Sequence, residues 1–207
     1  MKLFVLGATG KTGGALVAQA VARGHSVTAF GRSPFAGADK AKVLSISGNP
    51  MSEMELSDAL PGHDAVLSVL GTRGLGSTSL LDDSARATIS AMRETGVRRL
   101  VILSSALLDS NIGLMPRLAA LTLLRHHSRD QRAMERLVTA SDLDWTVLRA
   151  PRMNDAAPAG ESTVTVGEPS NTKGMLITKD EVARVMLDTV ENRRHIRELV
   201  HIRGAHR

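Results

Sequence analysis

The sequence predicts an α/β fold: a doubly wound parallel sheet with helices on both faces and a small C-terminal cap. Three observations carry this. Apolar runs of five or six residues alternate with stretches of helical spacing. A glycine-rich loop joins the first apolar run to the first amphipathic stretch. Glycines and small hydroxyl residues recur just beyond the later runs. Strand and helix in alternation bring parallel strands side by side, and both faces of such a sheet need covering.

Residues 2–6 read as the first strand. Residues 11–24 read as a helix, with Leu16, Val17, Ala20 and Val21 at helical spacing and Gly24 as its stop. Residues 26–30 and 42–46 are the second and third strands, 52–60 a short helix and 64–69 the fourth strand. Residues 79–95 form a helix ending at Gly96, and 98–103 the fifth strand. Residues 116–140 are helical in two pieces, with Pro116 suited to a first turn, and 144–148 are the sixth strand. Residues 156–174 are rich in Pro, Gly, Ser and Thr, with a short strand at 163–166. A helix over 179–190 aligns Val182, Val185, Met186 and Thr189, and 198–202 form a last strand. There is no internal repeat and no second core. We therefore expect a single domain over 1–207, with about 152–207 as an elaboration on the substrate side.

Composition narrows the function. The 207 residues include no cysteine, which excludes disulfides, thiolate metal sites and a cysteine nucleophile. His126 and His127 are adjacent, so on a helix they point about 100° apart and make a poor metal pair. No metal is expected. No apolar run approaches the roughly 20 residues of a membrane span, and no export signal is read, so cytoplasm is the default expectation. A net charge of +5 raises nucleic acid as a partner. Aromatic residues at 2% leave almost nothing for base stacking, and the arginines are dispersed. The charge fits a basic surface that favours anionic small molecules, with no nucleic acid or membrane partner and a monomer or homodimer.

Gly7-Ala8-Thr9-Gly10-Lys11-Thr12-Gly13 lies between the first strand and the first helix. A tight turn, close backbone approach to a pyrophosphate and close helix–strand packing all call for glycine there. The helix N-terminus then offers free N–H groups and partial positive charge. A Walker A loop is the first alternative, since Gly10-Lys11-Thr12 matches its end, but Val5 stands where that motif needs glycine. A merely structural turn is the second. The residue choosing between NAD and NADP lies about 20 positions further on. Gly31-Arg32-Ser33 stands there without an acid, and Arg32 and Ser33 can pair with a 2′-phosphate. This predicts NADPH in preference to NADH, unless Arg32 is only a solvated loop arginine. The other expected strand ends are Asn49, Gly71-Thr72, Ser104-Ser105 and Ala150-Pro151-Arg152. Ligands of a doubly wound sheet bind beyond such ends.

These residues resemble the atypical short-chain dehydrogenase/reductases, in the NmrA-like group and its biliverdin reductase B or flavin reductase branch. The carriers are Gly7–Gly13, His63-Asp64-Ala65-Val66, Leu70-Gly71-Thr72-Arg73, Ser84-Ala85-Arg86, Ser104-Ser105-Ala106 and Leu143-Asp144-Trp145-Thr146-Val147-Leu148-Arg149. The resemblance implies a Rossmann-type fold in which Thr9, Gly10, Lys11 and Thr12 hold the pyrophosphate and Arg32 the 2′-phosphate. It implies Asn49 at the adenine, where the family usually has aspartate, and Leu70 and Gly71 along the ribose. Arg86 would support the phosphates or the neighbouring loop. Leu103, Ser104 and Ser105 would lie near the nicotinamide, and Pro151 and Arg152 would border the substrate pocket. Gly7, Gly13, Ser33 and Thr72 complete the expected cofactor set, and Ser105 is the catalytic candidate. The branch tends to carry histidine where Arg152 stands.

The wider superfamily uses a tyrosine and a lysine four residues apart to protonate a carbonyl. Their places here hold His127 and Gln131, and the chain has no tyrosine. That excludes the usual acid. His127 can replace it, or can be an ordinary half-exposed helical histidine. The resemblance then implies direct hydride transfer to a flavin, a biliverdin-like tetrapyrrole or a quinone, with the proton from solvent. Arg152, with Arg117 or Arg125, can hold an acidic acceptor such as a flavin phosphate. Leu114, Met115 and Leu118 would form an apolar lid or, more simply, core. Two other functions stand beside this: a non-catalytic NADP(H)-sensing regulator of the NmrA-like type, and a redox-neutral enzyme such as an epimerase, which the missing tyrosine disfavours.

Overall fold

Alternation along β1 (Lys2–Leu6) sends Leu3 and Val5 to one face of the sheet and Phe4 and Leu6 to the other. All four are buried, as expected of a strand covered on both sides. The computed structural model describes residues 1–36, 42–71, 76, 78–109, 118, 122, 124–155, 163–166 and 176–204. Among them are ten strands and five α-helices.

After β1 come α1 (Lys11–Ala22), β2 (Ser26–Gly31), β3 (Val43–Ser47), α2 (Glu53–Ala59) and β4 (Ala65–Ser68). Then follow α3 (Leu80–Thr95), β5 (Arg99–Ser105), a 3-10 turn (Ala106–Leu108), α4 (Arg125–Thr139) and β6 (Asp144–Ala150). The chain ends with β7 (Arg152–Asn154), β8 (Thr163–Val166), β9 (Leu176–Thr178), α5 (Lys179–Glu191) and β10 (Glu198–Arg203). The main sheet has eight strands in the order β3-β2-β1-β4-β5-β6-β10-β8. All run parallel except β8, which is antiparallel to β10. Register is set early, with Leu3 opposite both Val27 and Ala65. β7 and β9 form a separate two-stranded parallel ladder.

One face of the sheet is packed by α1 and α5, through Leu16, Val17, Val182 and Met186. The other is packed by α2, α3 and α4, through Leu56, Met92, Met134 and Val138. This is the Rossmann-type doubly wound arrangement. The described residues after β7 do more than lie on the surface: β10 and β8 extend the main sheet, and α5 covers it.

Local chemistry explains the boundaries. Ser52 caps α2 by accepting from the Glu55 amide. α3 ends at Gly96 in the left-handed conformation, φ 75°. Thr178 and Glu181 form a reciprocal capping box at the start of α5. β5 and β6 run two residues longer than expected, so Ser104 and Ser105 lie within the strand. Of the helix expected over 116–140, the described element is α4. Thr72, Arg73, Leu114, Met115, Pro116 and Arg117 lie outside the described residues. No described helix is long and apolar enough to cross a membrane.

Candidate functional site

The strand order reverses direction at β1, which has β2 on one side and β4 on the other. Loops leaving their carboxyl ends part there and open a crevice. Gly7 enters it with φ +85°, and a Cβ on Gly7 would stand 2.8 Å from the Val69 carbonyl oxygen. A Cβ on Gly13 would stand 2.1 Å from the Gly7 oxygen and 2.6 Å from Ala8 Cα. Both positions therefore exclude any side chain. Gly10 is less constrained: its Cβ would meet only the Gly7 oxygen, at 3.3 Å. The turn closes by Gly10 N–H donating to Gly7 O at 3.0 Å.

α1 begins at Lys11 with no side-chain cap and no acidic residue in its first turn. The amides of Lys11, Thr12 and Gly13 find no backbone acceptor among the described residues. Backbone donors, a helix dipole and a turn drawn tight by Gly7 and Gly13 fit a phosphate group. Thr9, Gly10 and Lys11 are exposed at this rim. Thr12 is buried, and its hydroxyl faces Met153 Sδ at 3.7 Å, which leaves the backbone amide as its contribution.

Arg32 and Ser33 are exposed just past β2, and Arg32 has no hydrogen-bond or ion-pair partner among the described residues. Asn49 is exposed, its side-chain oxygen accepts from the Met51 amide at 3.1 Å, and its own amide donates to Glu55. Leu70 is half-buried and Gly71 exposed after β4. Arg86 is exposed and pairs with Asp82 at 3.6 Å on its own helix, and no ion pair among the described residues brings it to the loop.

The ends of β5 and β6 carry a buried polar cluster. Ser104 donates to Glu135 Oε1 at 2.6 Å. Arg149 grips Glu135 with Nε and Nη2, at 3.0 and 2.7 Å, and donates from Nη1 to Asp109 at 2.6 Å. His201 of β10 lies 2.7 Å from the same Asp109 oxygen. Burial works against the Arg149 charge, but the Glu135 and Asp109 carboxylates outweigh it and raise its pKa. Ser104 is thus held by the protein. Ser105 accepts from the Leu107 amide at 3.2 Å and keeps a hydroxyl hydrogen to donate. Leu103 and Pro151 are half-buried, and Arg152 is exposed on β7.

α4 carries His127 and Gln131, which the resemblance sets in the places of a tyrosine and a lysine. His127 is half-buried, and burial pushes its pKa down from 6.5 against the pull of Asp130. Gln131 is buried, with its side-chain oxygen unpartnered among the described residues. Neither offers a phenolic acid. Arg125 is exposed beside His126, and Leu118 is 53% exposed, so Leu118 is not core.

Sequence reasoning missed Glu135, Arg149, Asp109 and His201. For Arg149 and His201 the signal was present: an ionisable residue within an apolar strand, as in Val147-Leu148-Arg149-Ala150 and Leu199-Val200-His201-Ile202. It also missed the Lys11–Asp155–Lys179 ion cluster at the loop's rim.

A family model described as NAD(P)H-binding matches residues 7–193. Among curated proteins, an uncharacterised chloroplastic protein of Arabidopsis thaliana is 27% identical over 91% of this chain and 71% of its own length. The uncharacterised protein YwnB of Bacillus subtilis is 31% identical over 51% of this chain, about half of that protein (48%). Solved structures share the fold. A Rossmann-fold NAD(P)-binding family protein from Shigella flexneri aligns with TM-score 0.76 and 23% identity, covering 98% of this chain and 93% of that one. A short-chain dehydrogenase/reductase from Veillonella parvula, solved with NADP, aligns with TM-score 0.83 and 15% identity over 98% and 94%. SP1627 of Streptococcus pneumoniae, a candidate NADH-flavin reductase, aligns with TM-score 0.78 and 23% identity over 99% and 100%.

Proposed function

We propose a function from one premise, that this chain belongs to the NAD(P)H-binding family: it is an NADPH-dependent reductase of a flavin, a biliverdin-like tetrapyrrole or a quinone. The observation that carries the reading is the tight turn in which Gly7 and Gly13 admit no Cβ, set directly before the uncapped amides of α1. The amides of Lys11, Thr12 and Gly13 hold the pyrophosphate, with Thr9 and Gly10 shaping the loop. Arg32 and Ser33 hold the 2′-phosphate, which favours NADPH over NADH. Asn49 lies at the adenine, Leu70 and Gly71 along the ribose, and Leu103, Ser104, Ser105 and Pro151 at the nicotinamide end. Arg86 plays at most an indirect part.

When bound, NADPH supplies a hydride. An electron-poor conjugated ring accepts that hydride without a strong protein acid, and solvent supplies the proton that completes the two-electron reduction. The protein orients the acceptor and excludes competing water. Ser105 donates a hydrogen bond to the acceptor, and Arg152 meets its carboxylate or phosphate. The absence of tyrosine and the buried Gln131 favour this over carbonyl reduction.

NADPH oxidation should be followed with FMN, riboflavin, quinones and biliverdin as acceptors, alongside NADPH and NADH affinities of wild type and Arg32→Ala. The expected result is turnover with at least one acceptor, and NADPH affinity lowered about 10- to 100-fold by Arg32→Ala with NADH little changed. Selective NADPH binding without turnover of any acceptor would overturn the reductase and favour the NADP(H) sensor. Unchanged NADPH affinity in Arg32→Ala would overturn the cofactor assignment.

A further inference from the structure

We infer that Lys11 and Lys179 form an anion subsite at the rim of the glycine-rich loop, and that the Asp155 carboxylate competes there with a phosphate group of the bound dinucleotide. The inference rests on the dinucleotide reading above and adds two residues to it.

Lys11 is the first residue of α1, and Lys179 the first of α5. The two helices pack side by side on one face of the sheet. Asp155 follows β7 directly and reaches both. Lys11 Nζ donates to Asp155 Oδ2 at 2.7 Å, and Lys179 Nζ donates to Oδ1. One carboxylate thus bridges two ammonium groups, each through its own oxygen, as a phosphate would with two of its oxygens. The Lys11 hydrogen bond first, and that of Lys179 second, hold the Asp155 carboxyl below the usual range. Asp155 is therefore anionic at neutral pH, where a phosphate group is anionic too.

The bridge is not what fastens this part of the chain. β7 pairs with β9 from Arg152 opposite Leu176 to Asn154 opposite Thr178. Thr12 meets Met153 across the same seam, and Gln19 Nε2 donates to the Asp180 carbonyl at 3.0 Å. The Gly204 backbone presses on β9, where a Cβ would stand 2.2 Å from the Leu176 oxygen. By contrast, the Lys11 and Asp155 side chains are 74% and 57% exposed. Ion pairs this exposed contribute little to stability and exchange readily. A phosphate offers more charge and more acceptor oxygens than a carboxylate, and the uncapped α1 amides stand next to Lys11. Lys179, only 20% exposed, is the more buried of the two cations.

Calorimetric titration of NADP+ into wild type, Asp155→Asn, Lys179→Gln and the double variant tests this. Asp155→Asn should bind about three- to tenfold tighter, and Lys179→Gln weaker by a similar factor. The double variant should lose most of the gain, and the gain should shrink as salt is raised. Unchanged or weaker binding by Asp155→Asn, with an unchanged melting temperature, overturns the competition. Wild-type affinity in Lys179→Gln overturns the subsite. If wild type itself binds no dinucleotide, the cofactor reading fails separately. Inorganic pyrophosphate then decides the subsite alone, since Asp155→Asn must still bind it more tightly than wild type does.

Discussion

At the scale of single residues, His127 separates two roles that its position allows. It stands on α4, where the sequence resemblance sets an acid, yet burial lowers its pKa from 6.5, with Asp130 only partly opposing. The folded protein therefore resists protonating His127 more than the unfolded chain does. The sign of the linkage follows. Well above pH 6.5 both states carry neutral imidazole and the full stability is present. As pH falls through 6.5 the unfolded chain takes up the proton first, and stability is lost until the folded pKa is passed. Urea unfolding between pH 8 and pH 5 should show this decline, and His127→Gln should make it shallower. An identical slope in the variant would mean that other groups set the pH dependence. A neutral His127 at pH 7 is also a weak proton donor, which agrees with an acceptor that needs none from the protein.

At the scale of elements, α3 is capped by another helix. Its own N-cap, Ser79, makes no capping bond to the backbone. Asp130 of α4 instead accepts the amides of Leu81 and Asp82, at 3.1 and 3.0 Å, while itself 3% exposed. Asp130→Ala should cost about 1–2 kcal/mol in denaturant unfolding and speed hydrogen exchange at those two amides first. A loss spread evenly over the protein, with no local exchange, would argue against a cap. This contact marks what the sequence makes legible. The main-sheet strands, α1, α3 and α5 follow from periodicity and from stops such as Gly24 and Gly96, because those signals are local. Gly7 and Gly13 are legible for the same reason: loop and helix are neighbours in the chain. Asp130 lies 48 residues from its partner Asp82, and no local pattern announces that pairing. β7 and β9 are three residues each, too short for a period, and exist because they pair with each other.

At the scale of the whole molecule, the Ser104–Glu135–Arg149–Asp109–His201 cluster ties together β5, α4, β6, the segment after the 3-10 turn, and β10. It unites residues up to 92 apart in sequence at the carboxyl ends of the strands, beside Ser105. Its charges are nearly all buried: the Asp109 side chain is 1% exposed, Glu135 8% and Arg149 12%. One guanidinium serves two carboxylates, so removing it leaves both uncompensated in a poorly solvated place. Arg149→Met should therefore destabilise the fold by about 3–5 kcal/mol. The cluster as a unit is a different matter, because desolvating its charges offsets much of their mutual attraction. Replacing Asp109, Glu135 and Arg149 together by Leu, Leu and Met should recover most of the loss. Recovery should stay incomplete, since Ser104 and His201 then lose their buried partners. Urea unfolding of the single and triple variants measures the difference. Equal destabilisation would mean that shape, rather than charge balance, sets the cost. If the triple variant folds but loses the acceptor turnover proposed for the site, the cluster positions Ser105 and the strand ends around it.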